Sequence, residues 1–317
     1  MKVLANDGIS ANGIQLLEQN GFEVITTKVA QEQVAAYINK NEIDVLFVRT
    51  ATKISTELLD DCPSLKVIGI AEEAIDNKII DYAKSKGKTI VNASDSSAVA
   101  MAELVFAHLF SGARFLHDAN RNMPLEGDSN FNSLKKAYSS GIELRGKTLG
   151  IIGFTASGIE VAKIGLALGM HVIVADGSTE ETEIELNFYN GKSVIVKVEK
   201  VELNQLLRHS DFITIHLPAS EKKYLISEPE FKLMKDNVGI VNVSQGGIIN
   251  EVALLKALDD NKVLFAGLDV FEEQPTPAVQ VLMHPKVSLT PHIGSTTVET
   301  QQRMEIELVQ KVAQLLK

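Results

Sequence analysis

The sequence predicts an α/β protein built on two doubly wound parallel sheets. Three observations carry that expectation. Short apolar, β-rich runs alternate with segments of helical spacing along most of the chain, the pattern of βαβ units. Right-handed crossovers between such units make a doubly wound layer the default. The 317 residues amount to about two domains of roughly 150 residues each.

The first series of strands is expected at Val3–Ala5, Glu23–Thr27, Val45–Arg49, Val67–Ala71 and Thr89–Ala93. Helical spacing lies between them, as at Ile14 and Leu17, or at Leu58 and Leu59 after Ser55 and Thr56. Ala98–His117 is apolar-periodic without a break and predicts one long connecting helix, with more apolar face than a core alone needs. Residues 119–146 are polar and contain Gly127, Asp128, Ser139, Ser140 and Gly141, so an irregular interaction arm is expected there. A second series is expected at Leu149–Phe154, His171–Asp176, Phe212–Pro218, Gly239–Ser244, Phe265–Phe271 and Val287–His292. Within it, Asn190-Gly191 flanked by β-formers predicts an inserted hairpin over Asn187–Lys200. A final helix is expected over Thr297–Leu316, with Ile306, Val309, Val312 and Leu316 on one face.

Composition narrows the function classes. A formal charge of −10 and a pI near 5.3 argue against a phosphate-backbone partner, which needs a basic face, so no nucleic acid is expected. No apolar run approaches the ~20 residues of a membrane span, and the N-terminus has no signal-peptide core. One cysteine, Cys62, rules out an internal disulfide and suits a reducing compartment, so a cytoplasmic protein is expected. The histidines show no metal-ligand spacing, and no metal is expected.

Residues 149–176 have the layout of a dinucleotide-binding, Rossmann-like unit: buried strand, tight turn, amphipathic helix, second strand ending in an acid. Gly153, Gly158 and Asp176 fill the first, third and acidic places of the fingerprint. Thr155 stands at the second, where absent side-chain atoms normally let pyrophosphate approach the backbone. The expectation is impaired NAD binding, with Asp176 and the lack of arginine in GSTEET favouring NAD over NADP.

The segments RGKTLGIIGF, VNVSQGGIINEVAL, AGLDVFEEQP and LTPHIGSTT resemble the D-isomer-specific 2-hydroxyacid dehydrogenases, most closely their phosphoglycerate dehydrogenase branch. The resemblance covers nearly the whole chain. It implies a discontinuous, flavodoxin-like substrate (lid) domain, 1–97 plus 293–317, and an NAD-binding Rossmann domain, 98–292, with a dimerisation helix and arm at 98–146. It also implies a homodimer, and hydride transfer between NAD and a 2-hydroxy or 2-oxo acid such as 3-phosphoglycerate, in serine biosynthesis. Cofactor contacts are implied at Gly153, Thr155, Ala156, Ser157, Gly158, Asp176, Val243, Ser244, Asp269 and Gly294, and substrate contacts at Arg49, Thr50, Glu72 and Glu73, with Lys53 nearby.

The resemblance implies three catalytic places, and they are filled unusually. His292 matches the general acid/base. Gln245 stands where the family has the arginine that holds the substrate carboxylate, and Gln274 where it has the glutamate that orients the histidine. Neither glutamine carries charge, so impaired catalysis is expected. Three readings follow: a non-catalytic binding protein, a working NAD-dependent oxidoreductase that rebuilt its site, or a site turned by Glu72 and Glu73 toward a cationic ligand.

Overall fold

The computed structural model describes residues 1–49, 51–71, 77–93, 95–177, 182–217 and 224–316. The chain forms two compact units, Met1–Ser97 with Ser295–Lys317, and Ala98–Gly294.

In the first unit, β1 (Lys2–Ala5), α1 (Ala11–Gln19), β2 (Glu23–Ile25), α2 (Val34–Asn41), β3 (Val45–Val48), α3 (Thr56–Asp61), β4 (Val67–Ile70), α4 (Asn77–Ser85) and β5 (Thr89–Asn92) follow in order. The five strands are parallel, in the order β2-β1-β3-β4-β5. β3 and β4 are buried throughout because helices cover both faces, which explains their unbroken apolar runs. Leu4, Ile38, Leu46, Leu59 and Ile68 fill one layer. Val3, Val45 and Phe47 fill the other, against Met304, Leu308 and Val312 of the C-terminal helix. The hydroxyls of Ser10 and Ser55 cap α1 and α3, accepting from Gly13 and Leu58 amides.

The second unit opens with α5 (Ala98–Ala113), α6 (Leu116–Glu126) and α7 (Phe131–Ala137). Two expectations are corrected here. The single helix over Ala98–His117 breaks after Ala113, where Phe115 adopts a left-handed φ of 56° and sets its ring against Tyr138. The supposedly irregular arm holds α6 and α7. The Tyr138 hydroxyl donates to Asp118 and accepts from the Asn122 amide, tying the two helices together. Their polarity hid them: neither helix has a buried residue, so neither shows a core-facing stripe.

Then follow β6 (Thr148–Ile152), α8 (Ala156–Ala167), β7 (His171–Ala175), β8 (Thr182–Asn187), β9 (Ser193–Lys200), α9 (Leu203–His209), β10 (Phe212–Ile215), α10 (Glu228–Leu233), β11 (Val238–Asn242), α11 (Glu251–Asp259), β12 (Val263–Leu268), α12 (Val279–Met283) and β13 (Val287–Leu289). α13 (Val298–Leu315) is the C-terminal helix that returns to the first unit. The eight strands run β13-β12-β11-β10-β6-β7-β9-β8. All pairs are parallel except β8 with β9, the hairpin foreseen at Asn190-Gly191, where Gly191 has φ +77°. That ribbon is not a free insert, because β9 pairs with β7 at Ile173–Glu199 and Val174–Lys200.

Several strands end earlier than their apolar runs. β13 stops at Leu289 rather than His292, because Thr290, His292, Ile293 and Gly294 leave the sheet to bond Asp269. The same bonds hold residues 293 and 294 in the second unit, past the expected boundary.

A close contact of α5 with β12 supplies a test of the packing. A Cβ on Gly112 would stand 2.0 Å from a ring carbon of buried Phe265. Gly112→Ala is expected to destabilise by about 1–3 kcal/mol through overpacking, despite alanine's better helix propensity. Urea unfolding checks this; an unchanged or higher midpoint would contradict the packing.

Candidate functional site

The turn between β6 and α8 lies where the sheet order reverses, β6 being flanked by β7 and β10, and such a switch point is where doubly wound sheets take their ligands. Gly153 has φ +92°, and a Cβ on it would meet the His216 carbonyl oxygen at 2.3 Å. A Cβ on Gly158 would meet the Gly153 carbonyl oxygen at 2.4 Å. Both glycines are therefore demanded by the fold itself.

Thr155 is not under that demand. It sits at the N-cap of α8 with φ −73° and ψ 178°, an ordinary extended conformation. Its hydroxyl donates to the His216 carbonyl at 3.1 Å and lies 3.2 Å from the Ser157 hydroxyl. Ser157 meets His216 Nδ1 at 3.0 Å, and His216 Nε2 meets the Thr214 hydroxyl at 2.9 Å. Burial pushes His216 down to about 3, so it stays neutral and serves as a hydrogen-bonding strut. Because the Thr155 hydroxyl is turned onto His216, no side chain caps α8, whose first residues are Ala156, Ser157 and Gly158. An uncapped helix of 12 residues presents free amides and a partial positive charge, the ordinary chemistry of anion binding.

Asp176 follows the end of β7. It pairs with Lys200 of β9, Nζ to Oδ2 at 2.8 Å, and the ammonium also lies 5.5 Å from the centre of the Phe154 ring. Sequence reading did not single out Lys200, because only the register of β9 against β7 brings it there.

The loops after β11, β12 and β13 leave the same edge of the sheet. The Asn242 amide donates to the Gln245 carbonyl, and its oxygen accepts from the Ser244 amide and hydroxyl, which shapes the turn from Val243 to Gln245. A Cβ on Gly246 would stand 1.9 Å from the Phe271 carbonyl oxygen, so the loop carrying Gln245 lies directly on the backbone leading to Gln274.

Asp269 organises the histidine loop. Fully buried, its carboxylate accepts from the Thr290 hydroxyl at 2.6 Å and from the Ile293 and Gly294 amides at 2.9 and 2.8 Å. Its carbonyl accepts from the His292 amide. These bonds hold His292 at φ 56°, a conformation uncommon for residues other than glycine. The network continues to His108 of α5, which meets Ser288 and Thr290 and is pushed down to about 4 by burial. The His292 and Gln274 side chains are both exposed, and among the described residues no hydrogen bond joins them.

Among the described residues, neither neighbouring carboxylate is hydrogen-bonded to His292. Glu272 accepts from the Glu251 amide at 2.7 Å and the Tyr224 hydroxyl at 3.0 Å, while its own amide donates to Glu251. Glu273 is exposed. In the first unit, the Arg49 guanidinium pairs with Glu305 of α13, and the Arg49 amide donates to Asp7. The Lys53 amide donates to Gln31. Thr50, Glu72, Glu73 and the STEE stretch after Gly177 lie outside the described residues.

Residues 106–294 match the model of the D-isomer-specific 2-hydroxyacid dehydrogenase NAD-binding domain. The chain belongs to that family. Within it, this dehydrogenase relative is 38% identical to a hydroxypyruvate reductase of Thermotoga maritima, over 98% of this chain and 97% of the other. It is 34% identical to a D-3-phosphoglycerate dehydrogenase of Methanocaldococcus jannaschii over 100% of this chain but only 58% of that protein. In fold it matches the holo form of Rhodotorula graminis D-mandelate dehydrogenase with a TM-score of 0.83 at 24% identity, covering 98% of this chain and 93% of the other.

The Glu251–Glu272 exchange generates a pH prediction. Burial raises the Glu251 carboxyl above its ordinary value, so the native state binds more protons than the unfolded one, and stability falls as pH rises through that raised value. Glu251→Gln keeps an oxygen acceptor for the Glu272 amide and removes the buried charge. The variant is expected to melt a few degrees above the parent at pH 8, the gap closing below the normal carboxylate range. A variant less stable than the parent at pH 8 in thermal unfolding would contradict this.

Proposed function

We propose that this chain binds a nicotinamide dinucleotide at the β6–α8 turn and has lost most of the hydride-transfer activity of its family. The observation that carries the proposal is the neutral pair Gln245 and Gln274 at the arginine and glutamate places, with Glu272 already committed to Glu251 and Tyr224. The uncapped N-terminus of α8 supports cofactor binding, with the Ala156 and Ser157 amides facing pyrophosphate and Asp176 near the adenosine ribose. Bound there, the nicotinamide would supply or accept a hydride.

The chain's own residues account for the lost rate. Proton transfer falls to His292, on a loop held by Asp269, but an amide at 274 offers no charge to stabilise imidazolium. In serine proteases, a neutral replacement beside the catalytic histidine lowers turnover by about 10⁴. Gln245 can donate one hydrogen bond to a 2-oxo acid, whereas the arginine it replaces offers a charged fork. Truncating a buried charge partner costs about 2–5 kcal/mol in binding. The proposed substrate class, to the extent that turnover survives, is small 2-oxo acids such as hydroxypyruvate or phosphohydroxypyruvate, supported by the names of the relatives. A cytoplasmic homodimer is proposed, supported by the acidic, single-cysteine composition and the exposed apolar side chains Phe110, Leu116, Leu125 and Phe131 on α5–α7.

Steady-state reduction of hydroxypyruvate by NADH tests the reading. The parent chain is expected near background, and Gln245→Arg with Gln274→Glu is expected to raise kcat/KM by at least ~10²-fold. A parent turnover of about 1 s⁻¹ or more, unimproved by the reversions, would overturn it in favour of a rebuilt dehydrogenase.

A further inference from the structure

We propose that Lys200 turns the adenosine end of the cofactor site into one that accepts a 2′-phosphate, so that this chain takes NADPH as well as NADH. The proposal rests on the reading of the β6–α8 turn as a nicotinamide dinucleotide site. It departs from the sequence-level expectation, in which Asp176 alone selects NAD.

An unpaired carboxylate at the end of the second strand selects against NADP because it faces a group carrying about −1.5 to −2 charges. At about 4 Å, two like unit charges repel by roughly 1–4 kcal/mol in a wet or half-buried site. Here the carboxylate is compensated before any ligand arrives: Lys200 Nζ stands 2.8 Å from Asp176 Oδ2. The pair is shielded, with side-chain exposures of 14% and 21%, so it is screened less than a surface pair.

The lysine is positioned by backbone register rather than by a flexible loop. β9 pairs in parallel with β7, setting Lys200 opposite Val174, two residues before Asp176. The Phe154 ring, inside the fingerprint turn, lies beneath the ammonium and attracts it to that spot through its face. A lysine ammonium has three donors, and Asp176 is its only hydrogen-bonding partner among the described residues. The remaining donors suit phosphate oxygens, which a lysine meets as a point charge. NADH would still bind, because Asp176 remains present as a hydroxyl acceptor. The expected outcome is dual use rather than a switch.

The test is calorimetry on the full chain with NADH, NADPH and adenosine 2′,5′-bisphosphate. The proposal expects NADPH affinity within about tenfold of NADH, and Lys200→Met is expected to lower the NADPH-to-NADH affinity ratio by about tenfold or more. Lys200→Arg, which keeps the charge, should preserve the ratio and shows that any loss is not misfolding. Adenosine 2′,5′-bisphosphate should follow NADPH. NADH binding with NADPH at least ~100-fold weaker, or a ratio unmoved by Lys200→Met, would overturn this inference and leave the cofactor reading standing. Binding of neither dinucleotide would overturn both.

Discussion

At the centre of the larger sheet, the Gly153 backbone lies so close to the end of β10 that any side chain there would run into the His216 carbonyl. This approach fixes the turn, starts α8 beside the point where the strand order reverses, and buries His216 as a neutral strut between Ser157 and Thr214. It also separates two kinds of glycine. The first and third places of the fingerprint are held by the fold's own packing, since both would clash with backbone. The second has ordinary φ and ψ, so a glycine there serves the ligand rather than the fold, and threonine enters without strain. Its hydroxyl turns to the protein at His216 and leaves the helix end uncapped.

A similar division runs through the loops after β11, β12 and β13. Asp269 keeps its four hydrogen bonds to the 290–294 segment, and His292 keeps the left-handed conformation those bonds impose. On the proposed reading, what differs from the family lies in two side chains: an amide at 245 and an amide at 274. On that reading, the scaffold of a hydride-transfer site would persist without the charges that orient a carboxylate and stabilise an imidazolium. The Glu251–Glu272 exchange occupies the nearest acid, whose oxygens already accept from an amide and a tyrosine hydroxyl.

Much of this was legible in the chain. Strand runs buried on both faces, the Asn-Gly hairpin and the glycine-acid spacing of 149–176 each follow from local sterics or burial, and each appears in the structure. The arm helices were hidden because they bury nothing within the chain, so polarity passed for irregularity. Lys200 was hidden because its partner lies 24 residues away and meets it only through strand register. The roles of Thr214, Ser157 and His216 depend on hydroxyls meeting a ring in space, for which a sequence offers no spacing rule. Gln245 and Gln274 were legible only through resemblance, as neutral residues where charge was expected.

On the proposed function, cofactor binding and hydride transfer have come apart in this chain. Titrating the protein into NADH separates the two, following NADH's own fluorescence and then its absorbance after adding hydroxypyruvate; the lack of tryptophan keeps the fluorescence free of energy transfer from that residue. The predicted result is saturable binding in the micromolar to sub-millimolar range, with no consumption of NADH above background when the acid is added. No binding at about 1 mM, or consumption at about 1 s⁻¹ or faster, would contradict it.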